Sequence, residues 1–289
     1  MNRVGVWLAR GIVGAAVLLS GGRLGDSVPS RAARAVALVR AQDFTPLFEM
    51  AGRRVDAYFD PRKADRFLDE LFGLSGKWKA VTRGRESYER HVRKVFEERV
   101  VNAAGFESVL SQVRADYDYG LRAAENRLLV ALYEDVKPAR PQLSFEAFRS
   151  EYRDLARTLA PEVIRDLGMN LISFAGSDTA AVLFVSALAS TGVLGTSAAA
   201  GAAGTPMTFG LSLVAGLIAG IALDAVIGEA YEDAARMEVR RQMNALRNQA
   251  LNDVHAALVR AILAYRTLQE RCIAEVMEGD SHERLSRRP

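Results

Sequence analysis

The chain has 289 residues, enough for a sizeable core without staples or metals, and its 49% apolar and 25% charged content is ordinary for a globular protein. The net charge of +3 is uneven, because residues 1–42 hold Arg3, Arg10, Arg23, Arg31, Arg34 and Arg40 against Asp26 alone, a balance of +5 that leaves −2 for the rest. There is accordingly no basic face for nucleic acid, and Cys272, the only cysteine, leaves neither an internal disulfide nor a cysteine-based metal site.

Residues 1–22 have a basic start, an uncharged core from Gly11 to Leu19, and the small residues Ser20, Gly21 and Gly22. That pattern predicts a signal peptide or an N-terminal anchor, and an amphipathic surface helix or an Arg-rich transit peptide is drawn from the same residues. Export would place the protein in the periplasm or cell envelope of a bacterium, associated with a membrane.

Residues 30–167 read as a helical bundle. Apolar positions from Ala33 to Tyr58 recur at helical spacing and predict two helices, with Pro46 in the first turn of the second. Asp60-Pro61 breaks the run, and Ala64 to Phe72 predicts a short helix ended by Gly73 and Gly76. The segment from Lys77 to Arg85 reads as a basic loop around Trp78. From Glu86 to about Val136 the apolar residues fall three or four apart, which predicts one long amphipathic helix eased at Gly105 and Gly120. Pro138 and Pro141 stop it, and Ser144 opens a further helix to about Leu167.

From Thr179 to Leu223, 45 consecutive residues carry no charge. They divide around Gly201, Gly204 and Pro206 into two apolar halves, each approaching the ~20 residues that cross a bilayer. The region 168–228 therefore reads as a helical hairpin that must be hidden in lipid or in protein. In its second half Ser212, Gly216, Gly220, Asp224 and Gly228 recur every fourth residue, a small-residue stripe against which another helix can pack closely. The first half is diluted by Ser186, Ser190, Thr191 and Gly192 and would insert only as a pair with the second. Asp224 is the candidate ionisable switch, since protonation would remove its charge before burial.

Residues 229–278 contain no Gly or Pro, and Val239, Met243, Leu246, Ala250, Val254, Ala257, Ala261, Tyr265, Leu268, Cys272 and Val276 trace an eleven-residue repeat. This predicts a long, nearly straight coiled helix, with Leu251, Leu258, Ile262 and Ile273 widening its stripe for more than one neighbour. The polar tail 279–289 has nothing to bury and is expected to be disordered.

The chain is thus all-α, an elongated bundle of long amphipathic helices with an uncharged apolar hairpin. His91, His255 and His282 lack metal-ligand spacing, no phosphate-binding glycine loop or nucleophile motif occurs, and Cys272 sits in an apolar stripe. No catalytic residue, metal, cofactor or small-molecule substrate is indicated. The expected partners are a lipid bilayer and either further copies of the chain or a helical protein. Two functions follow: a hairpin resident in the bilayer with a projecting coiled scaffold, or a stored hairpin that inserts on oligomerisation. In architecture the second plan is similar to the α-helical pore-forming toxins of the cytolysin A and tripartite enterotoxin type.

Replacing both Gly216 and Gly220 by Leu fills the stripe and is expected to abolish hairpin packing, with loss of membrane insertion or assembly. Unchanged detergent partitioning and oligomer size in that double variant would refute the packing role.

Overall fold

The computed structural model describes residues 31–73, 85–170, 179–190 and 232–286. They form eight helices, with no strand among the described residues: α1 (Arg31–Arg40), α2 (Thr45–Tyr58), α3 (Pro61–Phe72), α4 (Arg85–Arg99), α5 (Ala103–Val136), α6 (Phe145–Asp166), α7 (Thr179–Ser190) and α8 (Glu232–Ser286). The all-α expectation holds.

Local chemistry sets the boundaries. Asp43 Oδ1 accepts from Thr45 N at 2.9 Å ahead of α2, and Pro46 lies in that helix's first turn. Asp60 caps α3 by accepting from Arg62 N, with Pro61 at the first position, where its missing N–H costs nothing. Ser144 Oγ accepts from Ala147 N at 3.2 Å to open α6. At the other end of α6, Gly168 takes φ +62, and Met169 N donates back to Ile164 O at 2.9 Å. This left-handed turn closes the helix and redirects the chain toward α7.

The expected single helix from Glu86 to Val136 is two helices. It breaks at Val100, Val101 and Asn102, where Asn102 takes an extended backbone (φ −80, ψ 120) and becomes the N-cap of the next helix. Asn102 restarts the chain by accepting from Ala104 N at 2.9 Å and Gly105 N at 3.4 Å, and Tyr58 Oη donates to its carbonyl at 2.6 Å. Gly105 and Gly120 leave α5 continuous. They are instead where α2 comes close: a Cβ on Gly120 would lie 2.9 Å from Leu47 Cδ2, and one on Gly105 would lie 3.2 Å from the Tyr58 ring.

The spine is α8, whose 55 residues extend ~82 Å. Every repeat position from Val239 to Cys272 is buried, as are Leu258, Ile262 and Ile273. The widened stripe serves two sets of neighbours, α1, α2 and α3 on one side and α6 and α7 on the other. Side-chain ion pairs fix the register: Arg236 with Asp69 at 2.8 Å, Arg240 with Asp65 at 2.9 Å, Arg247 with Asp56 at 2.8 Å and Arg271 with Asp166 at 2.7 Å. Each is partly exposed and contributes little by itself, ~0.2–1 kcal/mol. The helix α8 runs on past Glu278 to Ser286.

Removing the cap by Asn102→Ala leaves the first N–H groups of α5 without a side-chain acceptor. The expected loss is about 1 kcal/mol of unfolding free energy, read by urea denaturation with an unchanged m-value.

Candidate functional site

The described part of the uncharged run is α7, whose sequence TAAVLFVSALAS has no charged residue and no polar face. Such a helix cannot lie on a surface, because whichever side faced water would be apolar. None of its residues is exposed, and Ala180 through Phe184, Ser186, Ala187 and Leu188 are all buried. It packs on α8, α6 and α5, and the Phe184 ring sits 5.1 Å from that of Tyr117 on α5.

The first turn of α7 lies beside Tyr265, Leu268 and Gln269, whereas its last carbonyl, that of Ser190, accepts from Arg260 at 3.0 Å. The helix therefore runs antiparallel to α8. Between those contacts α8 presents Ala261 and Ala264, both fully buried, and such small side chains allow the two backbones to approach. Tyr265 Oη donates to Leu121 O at 3.2 Å, tying this part of α8 to α5.

Polar contacts gather at the C-terminal end of α7. Asn170 N donates to Ser190 Oγ at 2.8 Å, its Nδ2 donates to Ala189 O at 3.2 Å, and Ser190 Oγ donates to Ser186 O at 2.7 Å. With Arg260 on the Ser190 carbonyl, a cation and an amide cap the negative end of the helix dipole. Inside the helix, Ser186 Oγ is buried without a hydrogen-bond partner. An orphaned buried hydroxyl costs on the order of 1–3 kcal/mol, so the seat of α7 is not optimally satisfied.

Ser212, Gly216, Gly220, Asp224 and Gly228 lie outside the described residues, as do the turn residues Gly201, Gly204 and Pro206. The N-terminal segment 1–22 and the basic loop up to Gly84 lie outside them too. Among the described residues no helix is long and apolar enough to cross a membrane. Nor does any group of three or more His, Cys, Asp or Glu among them suit a metal ion. The histidines are not brought together: His91 is on α4, while His255 and His282 are seven helical turns or so apart on α8. Burial pushes the Cys272 thiol up to about 12, which keeps it protonated in the core.

The capping residues Asn170 and Arg260 carry no sequence signal, since an isolated polar residue after a helix and an arginine on a helix face are commonplace. The sequence stays uncharged on both sides of Ser190 and offers no mark there. No protein-family model matches the chain, and comparison with curated proteins and with solved structures gives no match.

On α8, His255 stacks edge-on against Phe48 of α2 with ring centroids 5.5 Å apart, and its Nε2 is buried without a partner. Burial lowers its pKa, opposed by a hydrogen bond with the Phe48 backbone and by the charge of Asp56. The unfolded chain, with an ordinary histidine near pH 6.5, then binds a proton that the fold does not. Stability is unaffected above that value, falls as the pH drops below it, and levels off once the folded imidazole also protonates. His255→Leu is expected to lose fewer degrees of Tm between about pH 7.5 and about pH 5.5 than the parent chain.

Proposed function

We propose that this chain is a membrane-inserting helical protein that keeps its uncharged hairpin within the bundle and releases it into a bilayer as copies assemble. The observation that supports this reading is the seat of α7: a charge-free helix with no exposed residue, surrounded by helices whose outer faces are charged. A helix resident in lipid would keep an apolar face turned to acyl chains, whereas α7 packs on α5, α6 and α8 and exposes no residue. The second half of the run, with its stripe of Ser212, Gly216, Gly220 and Gly228 and with Asp224 as an ionisable switch, supplies the partner for paired insertion. No catalytic step is assigned.

The 45-residue length of the charge-free run favours a second reading, a hairpin held permanently in the bilayer with the coiled helices projecting as a scaffold or assembly subunit. The two readings part on one observable. The chain without residues 1–22 is expected to be monodisperse without detergent and then to float with liposomes and release an entrapped dye. Extraction only by detergent would sink the stored-hairpin reading.

Arg260→Ala removes a contact worth ~0.3–1 kcal/mol at the α7 C-terminus. It is expected to speed dye release about two- to fivefold while leaving Tm nearly unchanged, and an unaltered release rate would discard the latch.

A further inference from the structure

A cleft of 290 Å³ opens where α5, α6 and α8 meet the first turn of α7. Arg122 of α5 and Arg149, Arg153 and Arg157 of α6 line it, and Glu125 is the one acidic residue among the described lining. That carboxylate is taken, since its Oε1 accepts from Arg153 Nε at 3.2 Å. Arg157 pairs with Asp154 on its own helix at 3.1 Å. Arg149 forms an ion pair with Glu146 at 3.7 Å through Nη1, while its Nε is buried with no hydrogen-bond partner.

The independent observation is Gln269. It lines the same cleft from α8 at 1% exposure, and neither Nε2 nor Oε1 has a hydrogen-bond partner. A buried amide with both its donor and its acceptor unused is costly unless something in the cleft satisfies it. Water would serve the amide, whereas an anion bearing a hydroxyl would serve it and also meet the unpartnered Arg149 Nε. An apolar ligand would serve neither.

We propose that this cleft binds a phosphate ester that also carries a hydroxyl, with its anionic oxygens on the arginines and its hydroxyl on the Gln269 amide. Guanidinium groups present planar, fixed donors that match phosphate oxygens, and an amide can donate to and accept from one hydroxyl. The volume falls at the small end of ligand sites and suits a glycerol phosphate rather than a nucleotide. Such a group exists both as a free ester and as the headgroup of phosphatidylglycerol. Thr179 and Ala180 form part of the wall, so occupancy of the cleft bears on the seat of α7. This regulatory consequence rests on the stored-hairpin reading; binding itself does not.

The test titrates the full chain with glycerol phosphate at constant ionic strength and follows thermal unfolding. A saturable rise in Tm is expected, because a ligand of the folded state alone stabilises it. Arg149→Gln and Gln269→Leu are each expected to weaken the apparent affinity about tenfold or more, the scale of one charge-assisted or buried hydrogen bond. Without ligand, Gln269→Leu should keep or raise Tm, since it removes an unpartnered polar group. Absence of a saturable rise, or a rise undiminished in both variants, would overturn the site. Flotation with phosphatidylglycerol but not phosphatidylcholine vesicles, competed by glycerol phosphate, assigns the headgroup as the ligand, whereas flotation that is not competed assigns the free ester. A retained Tm rise with no dye release would sink the stored-hairpin reading and leave the site standing.

Discussion

Everything in this bundle accommodates one helix that has no polar side. An amphipathic helix needs a single neighbouring surface, but α7 has to be covered all round, and that requires several helices converging on it. The long spine α8 supplies a wide apolar stripe, and α5 and α6 supply the other walls. The consequence is visible in α8 itself, where Ala257, Ala261 and Ala264 are fully buried beside larger residues. Alanines at these positions reduce the distance between helix axes and let a second helix lie deep against the spine. The opposite side of the stripe is free to hold α1, α2 and α3, with charge pairs along its edges.

The interactions that keep α7 in place are mostly non-directional. Burial of Val182, Leu183, Phe184 and Leu188 contributes roughly 1.5–3 kcal/mol for each large side chain, and none of that depends on the identity of the apolar surroundings. Lipid would provide the same environment. What distinguishes the protein seat from a bilayer is therefore the small set of polar contacts: the Asn170 and Arg260 caps at one end, and the orphaned Ser186 hydroxyl in the middle. The caps favour this position of α7 and the hydroxyl opposes it. In a paired hairpin a serine can bond across to the neighbouring helix, so leaving the bundle would relieve that penalty.

Helical periodicity made most of this architecture legible. The repeat on α8 named its buried face residue by residue, and Ser144 marked a helix start where a side-chain cap now stands, whereas Asp60 and Pro61, which read as a break ahead of a helix from Ala64, open α3 themselves. The break before α5 was hidden because Val100, Ala103 and Phe106 keep the three-residue rhythm across it; only Asn102, a residue type suited to an N-cap, stands at the restart. Gly105 and Gly120 misled for a related reason. A glycine in a helix can permit a bend or a close approach, and the sequence does not say which; here Leu47 and Tyr58 occupy the space. For the site, the charge-free run was plain, whereas the Asn170 and Arg260 caps and the arginine cleft exist only once α6 and α8 are side by side.

The two ends of α7 are chemically opposite, which under the proposed stored-hairpin reading would give its release a direction. Its C-terminal end is tied by directional hydrogen bonds to Asn170 and Arg260, while its N-terminal end borders a cleft rich in guanidinium groups. Ties of the first kind are lost stepwise, within the first ångström or so of movement, because hydrogen bonds weaken steeply with distance and angle. Attraction between the arginines and an anion acts over a longer range, set by a Debye length of about 8 Å at physiological salt. An anionic membrane surface would therefore be felt at the N-terminal end before any contact there is made, while the C-terminal caps still hold. A bundle built this way would orient on such a surface first and open afterwards, which keeps the apolar helix out of water throughout.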